Sequence, residues 1–455
     1  MEQKTMIRDL TTGSVGKQLL VFSIPFLLSN ALQTVYNLVD MVIVGQFVGS
    51  AGLSAVSIGG TITWLLCCLA IGYSTGGQIY LSQQVGSGDY SGMKKTIGTL
   101  FTAVFGFAVV LSILGVAFYR PLLQLLNTPE EAMKQASDYV VICSAGVIFV
   151  YGYNTVAAVL RGMGDSKRPF YFIALSAVLN IFLDLLFVGP LHMEAGGAAL
   201  ATILAQAVSF IIAIIYLYRN RENFGFDFRL KSFRPDGKTF RILSGLGLPL
   251  TVQTSAINLS MMYVSAGINS YGLVYASVYG IGGKLQSLMF IITNSVNNAG
   301  ATMFGQNLGA GKMDRVKKTF WYCVAICMGF FVMLSLICLV WPQPIFRIFT
   351  SDAEVLAEAA YFMVTLVVMF GGFATMNAAN ALINGIGNGR LSLIIALLDG
   401  VVFRIGLCLL LVKCTGLGVW SYFWGNALAG YASTILANGY YFTGLWKKRK
   451  LMIEQ

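Results

Sequence analysis

The chain has 455 residues, 56% of them hydrophobic and 11% charged, with a net charge of +11 and a mean hydropathy of +0.73. Soluble domains carry roughly 45–50% apolar and about 25% charged residues, so an assembly of soluble domains is excluded. A single histidine, His192, leaves no His-based metal site or Ser-His-Asp triad to build.

Apolar stretches long enough to cross a bilayer predict helices near 19–46, 53–80, 96–118, 138–160, 169–189 and 195–218, then near 243–269, 276–300, 319–341, 358–384, 391–412 and 419–443. Several contain Gly or Pro, which bilayer helices tolerate. The opening stretch MEQKTMIRDLTTGSVGKQLL has no charged-then-apolar leader design, so the first helix is expected to insert and remain. Seven of the eight cysteines fall inside apolar segments and only Cys414 near the end of one. They read as small buried hydrophobes, not a disulfide scaffold.

With the N-terminus in the cytoplasm, Arg120, Lys134, Arg347 and Lys413 fall in external loops and Lys284 and Arg404 within helices. The other 24 of the 30 Lys and Arg residues are then cytoplasmic, which is the positive-inside signature. The net positive charge therefore faces anionic lipid headgroups and needs no nucleic acid to explain it. Both termini are expected in the cytoplasm.

Polar residues interrupt these apolar segments in a pattern. On the first helix Asn30, Gln33, Asn37 and Asp40 share one face, and Pro25 is expected to kink the helix. Tyr36 lies among them as a candidate for cation–π contact. The fourth helix adds Tyr139 and Asn154; the fifth Ser176, Asn180 and Asp184; the sixth Thr202, Gln206 and Ser209. An ionisable group inside a bilayer costs about 2.5–3.5 kcal/mol on insertion scales and defaults to a functional reading. The amides and hydroxyls alone also fit interhelical glue, but the two acids have no Lys or Arg in the predicted helices of their half. Two shielded carboxylates disfavour a second charge by burial and by repulsion, which is the chemistry of a proton carrier. Asp399 differs: Arg404 follows five residues later and Lys284 lies in the eighth helix, so a structural ion pair is expected there.

The chain repeats itself. QQVGSGDYSGMKK (83–95) returns as QNLGAGKMDRVKK (306–318), NTVAAVLRGMGD (154–165) aligns with NAANALINGIGN (377–388), and Pro25 aligns with Pro249. The acids do not repeat: Val264 and Leu407 occupy the positions matching Asp40 and Asp184. In their place the second half has Asn294, Asn297 and Asn298 on the eighth helix and Asn377, Asn380 and Asn384 on the tenth. Met261, Met262, Tyr263 and Met289 are further residues suited to a flat cation or to ordinary packing. The expected organisation is an N-terminal lobe over 1–218, a charged cytoplasmic linker over 219–242, a C-terminal lobe over 243–446 and a basic tail over 447–455. The fold class is thus an all-α integral membrane protein, with twelve transmembrane helices in two pseudo-symmetric six-helix bundles around a central cavity. That architecture suits a transporter.

These segments resemble the multidrug and toxic compound extrusion (MATE) family. The resemblance runs over nearly the whole chain and is carried by IPFLLSNALQTVYNLVDMVIVG, by LSQQVGSGD with its echo FGQNLGAGK, by LRGMGDSKRP and by LNIFLDLLF. It implies export of cationic, often aromatic compounds in exchange for H⁺ or Na⁺ across the plasma membrane. In the bacterial and archaeal branch with an acidic N-terminal lobe, the matching positions are Asp40, Tyr139, Asn180, Asp184 and Thr202 for the coupling ion, with Pro25 as hinge. Gln33, Tyr36, Asn37, Asn154 and Gln206 are expected to line the substrate cavity.

No enzyme, resident cofactor or structural metal is expected. The partners are small organic cations and the lipid bilayer, and the protein is expected to be a monomer. Carboxylate, amide and hydroxyl oxygens at Asp40 and Asp184 suit H⁺ and Na⁺ alike. The alternatives are a lipid-linked oligosaccharide flippase, which would want a basic cavity, and a major-facilitator carrier, whose loop motif Asp89-Tyr-Ser-Gly92 matches only in part.

Overall fold

The computed structural model describes residues 7–454. Twelve long helices make up the fold. They are α1 (Val15–Phe47), α2 (Ser50–Ser87), α3 (Tyr90–Leu125), α4 (Glu130–Gly162), α5 (Lys167–Val188) and α6 (Glu194–Arg219). After the linker come α7 (Gly237–Asn269), α8 (Leu273–Gly309), α9 (Met313–Val340), α10 (Ala353–Ile386), α11 (Gly389–Cys414) and α12 (Trp420–Phe442). Each expected span corresponds to one helix. Ten are both long and apolar enough to cross a membrane by length and composition. The other two, α8 and α12, are long enough but are diluted by Gly, Asn and Ser.

Eight helices, α1–α4 and α7–α10, overrun the apolar stretch by about a turn or more at one end or both, because backbone hydrogen bonding continues into the polar ends. Arg161, expected in a loop, thereby falls in the last turn of α4, with its guanidinium 4.8 Å from the centre of the Phe26 ring. The second difference lies inside α11, where Leu398–Ile405 widens into a π-helical stretch that no periodicity signals.

The repeated glycines have a backbone reason. Gly88 and Gly311 follow α2 and α8 with φ of 74° and 69°, and Gly164 and Gly387 follow α4 and α10 with φ of 86° and 85°. Left-handed caps of this kind end helices and favour glycine. Side-chain caps open α3 and α10: Asp89 Oδ1 accepts from the Gly92 amide at 2.8 Å, and Asp352 Oδ1 from the Glu354 amide at 2.9 Å.

Contacts divide the chain into two compact units. Unit 1 holds Ile24–Thr251 and the described residues up to Asp9; unit 2 holds Leu10–Ser23 and the chain from Val252 on. The cuts fall inside helices, one residue before Pro25 and two after Pro249. The linker therefore belongs with unit 1, and the first turns of α1 with unit 2. In unit 1, α4 is the hub, packed against α2, α3 and α6; in unit 2, α10 packs likewise against α8, α9 and α12. Small residues permit this closeness, as is usual for membrane helices: a Cβ at Gly152 would lie 2.5 Å from the Phe210 ring of α6.

The repeated loop motifs grip the chain that leads into α1 and α7. In unit 2, the Leu10 amide donates to Gln306 Oε1 at 2.9 Å. The Arg315 guanidinium donates to the carbonyls of Leu10, Thr12 and Gly13 at 3.0, 3.2 and 2.6 Å, and to Gln18 Oε1 at 2.9 Å. Lys312 Nζ reaches the Thr11 carbonyl at 2.9 Å. In unit 1, Lys94 Nζ pairs with Asp227 Oδ2 at 2.8 Å, and the Asp236 amide donates to Thr99 Oγ1 at 3.0 Å. Lys94 and Ser232 beside Asp227 hold its carboxyl well below the usual carboxylate range.

Arg315→Ala removes several charge-assisted bonds at once, so it is expected to destabilise the protein by about 2 kcal/mol. Lys94→Ala breaks an exposed pair and is expected to leave stability unchanged. Thermal melting in detergent checks the ranking, and equal melting temperatures for the two variants would contradict it.

Candidate functional site

The inward face of α5 carries Ser176, Asn180, Asp184 and Val188, all buried, while Tyr171, Leu175, Val178, Phe182, Leu185 and Leu186 on its other faces are exposed. A polar stripe on the protein side and an apolar one toward lipid is the membrane form of amphipathicity. On α1, Asp40 is buried at 9% exposure, and Asp184 has none.

These two carboxyls abut one another, with the Asn180 amide against Asp184. Asn180 Nδ2 in turn donates to Thr202 Oγ1 on α6 at 3.4 Å. Tyr139 on α4 is buried within electrostatic range of both acids, and Tyr36 within range of Asp40. The network is not closed: Asp40 Oδ1 and both oxygens of Asp184 have no hydrogen-bond partner among the described residues. Nor do the acids take part in any of the ion pairs formed by described residues. One turn beyond the acids, Val44 and Val188 join Ile43 and Ala198 in a buried apolar cluster, which seals that side of the pocket from water.

The structure thus brings Asp40, Asp184, Asn180, Thr202, Tyr139 and Tyr36 together. The other expected residues are placed differently. Asn154 turns its amide back to the Val150 carbonyl of its own helix, at 2.8 Å. Gln206 is buried with Oε1 unpartnered, Gln33 is half-buried, and Asn37 is exposed. Pro25 is buried within an unbroken α1, and the Ser29 hydroxyl donates to its carbonyl at 2.7 Å.

Two neighbours escape a reading of the sequence. Cys143 touches both Tyr139 and Thr63 and lies within range of Asp40. Its spacing of one helical turn from Tyr139 was the available signal, masked by the general inertness of buried cysteines. All eight cysteines are free thiols.

A family model described as MatE matches the chain twice, over residues 25–186 and 249–410. The chain belongs to the MatE family. The two matches begin at the two aligned prolines, so the repeat read in the loops is a repeat of the family unit itself. "Probable multidrug resistance protein YpnP" of Bacillus subtilis is 28% identical over 98% of this chain and 99% of its own length. "Multidrug export protein MepA" of Staphylococcus haemolyticus is 23% identical over 86% of each. A solved structure described as an outward-facing multidrug resistance MATE transporter of the MOP superfamily superposes with a TM-score of 0.90, at 21% identity, over 99% of this chain and all of that one. This MatE protein is therefore a multi-pass membrane transporter with the twelve-helix, two-lobe fold, its relatives are transporters and not enzymes, and the major-facilitator alternative falls.

The buried charges of the C-terminal half contrast with the acid pair. Arg404 Nη2 donates to Asp399 Oδ2 at 3.2 Å, and Nη1 to Asn426 Oδ1 at 2.7 Å. Lys284 is exposed and takes no part. Replacing an unpaired buried carboxyl with an apolar side chain removes a desolvation cost, whereas orphaning a buried charge adds one. Asp184→Leu is therefore expected to keep or raise the melting temperature, and Arg404→Leu to destabilise by about 3 kcal/mol. A fall in melting temperature for Asp184→Leu as large as that for Arg404→Leu would show that Asp184 is a structural group.

Proposed function

We propose that this transporter exports cationic, mostly aromatic compounds by alternating access, in exchange for protons carried by Asp40 and Asp184. One observation carries the reading: two adjacent buried carboxyls in unit 1 with no basic side chain to neutralise them. A pocket of that kind at membrane depth cannot keep two bare negative charges, since a carboxylate in low dielectric must be neutralised or paired. Either a proton or a cationic substrate satisfies it, and each excludes the other. Exchange follows from that exclusion. A proton arriving from outside removes the attraction for the bound cation. Loss of the proton to the cytosol restores the charge that draws in the next one.

Asn180, Thr202 and Tyr139 act in this scheme by orienting the carboxyls and supplying hydrogen bonds to whichever form is present. Tyr36, beside Asp40, offers a ring face to a flat cation. Na⁺ in place of H⁺ would require the amide and hydroxyl oxygens to complete its coordination. Exchange of one proton for one monovalent cation moves no net charge; a second proton would add about 2.3 kcal/mol per 100 mV of membrane potential. A flippase for lipid-linked pyrophosphates would need basic residues where these acids stand. The charge distribution of the loops further supports cytoplasmic termini.

Asp40→Asn and Asp184→Asn are each expected to abolish ethidium efflux from energised cells at wild-type expression. In liposomes holding the wild-type protein, a pH gradient imposed alone is expected to drive uptake of a fluorescent cation. Uptake driven by a Na⁺ gradient but not by a pH gradient would reassign the coupling ion, and unimpaired efflux in either variant would remove the scheme.

A further inference from the structure

Unit 2 holds a buried charged cluster that the exchange described above does not use. Asp399 and Arg404 are 4% and 3% exposed and stand five residues apart in the π-helical stretch of α11. The wider turn, closed by i→i+5 hydrogen bonds, stacks residues at that spacing, and such turns concentrate at functional sites. Besides Asp399 and Asn426, the guanidinium meets the sulfur of Met261 on α7 at 3.3 Å. Two groups are left over: Arg404 Nε and Asp399 Oδ1 have no partner among the described residues.

Asn426, which accepts from Arg404, is also a wall of a small cavity in the same unit, with room for about one water-sized group or ion. Its side-chain nitrogen faces the sulfur of Met369, a second wall residue, at 3.8 Å. Tyr279, Gln286, Phe362, Thr365 and Phe423 complete the lining that matters chemically. It offers phenol, hydroxyl and amide groups and the positive edges of aromatic rings, and it contains no carboxylate. Arg404 lies within electrostatic range of Tyr279.

The pair is neutral while Asp399 is ionised. A proton on Asp399 would leave a guanidinium buried without a counter-charge, which is costly in the membrane interior. An anion entering the adjacent cavity offsets that cost, so protonation and anion binding favour one another by linkage. We propose that this cavity is a proton-linked site for a small monovalent inorganic anion of the size of chloride. The titratable groups facing the pair are Tyr279 of α8 and Cys408 of α11, with Tyr422 of α12 and Tyr263 of α7 behind Cys408. Phenols and thiols ordinarily lose protons only above about pH 8, so Asp399 is the group that changes charge below it.

The test is calorimetric titration of the full-length protein in nanodiscs, in chloride-free buffer, with chloride and with benzoate at about pH 5.5 and about pH 7.5. Wild type is expected to bind at the lower pH and to weaken by up to about tenfold per pH unit as Asp399 ionises. Chloride is expected to saturate the site, and benzoate, too large for the cavity, is expected not to bind; saturation by benzoate would place the anion elsewhere. Asp399→Asn, which keeps the guanidinium uncompensated, is expected to bind equally at both pH values. The double variant Asp399→Asn/Arg404→Gln carries no charge at this cluster, should fold, and is expected to bind neither anion. Asp40→Asn is expected to bind as wild type does, whatever becomes of cation export. The proposal is overturned by absence of saturable binding to the wild type, by wild-type binding indifferent to pH, by Asp399→Asn keeping the wild-type pH dependence, or by binding that survives in the double variant.

Discussion

A charge inside a membrane protein must be answered by another charge, by a proton or by a ligand, and this chain shows two answers. Asp399 is answered from within, by Arg404 at 3.2 Å on the same helix. Asp40 and Asp184 are not: they have each other, an amide and a hydroxyl-bearing shell. Repulsion between two carboxylates at that proximity makes the doubly charged form the least favourable of their states. The exchange proposed above draws on that imbalance, and the two halves differ by this one missing cation.

The scaffold around these groups is nearly symmetric. Glycines with left-handed backbone end α2 and α8, and α4 and α10, at matched positions. The hubs α4 and α10 have matching neighbours, and the start of α3, like the start of α9, grips a chain segment leading into a proline-bearing helix. Repetition therefore governs the backbone and the helix packing, while the buried ionisable groups differ between the halves. Where unit 1 has Asp184, the offset places Leu407. The charges of unit 2 lie instead in a π-helical stretch that has no equivalent in α5. A duplicated frame can thus carry one exchanging pocket and one internally neutralised pair without cost to the fold.

Much of this was legible in the order of residues, because a bilayer simplifies the code. Apolar stretches had to become helices, as no other open structure satisfies its backbone in lipid, and acids within them stood out against that background. The stripe Ser176, Asn180, Asp184 pointed to the inward face of α5 by spacing alone. What escaped were features set by three-dimensional packing. The widening of α11 depends on one extra residue per turn, which leaves the apolar pattern intact. The placement of Arg161 within α4 reflects a helix continuing past its apolar stretch. Asn154 and Asn37 are polar residues on plausible faces, yet one bonds to its own backbone and the other is exposed; spacing places a residue on a face without fixing where its side chain turns. Cys143 was concealed by chemistry, being apolar in most settings and significant here only through Tyr139 and Thr63.

The division of the chain by contacts falls inside the two helices that carry the aligned prolines. Helix α1 starts among residues held by Arg315 and Gln306 and ends beyond Asp40, and the boundary between units falls beside Pro25. Proline has no amide to donate and its ring crowds the preceding turn, so this is where the helix is weakest in bending. α7 repeats the arrangement, with Pro249 at the second boundary and the linker gripped through Thr99 and Lys94, but no acid follows it. Of the two proline-bearing helices, only α1 carries a buried carboxyl beyond its proline.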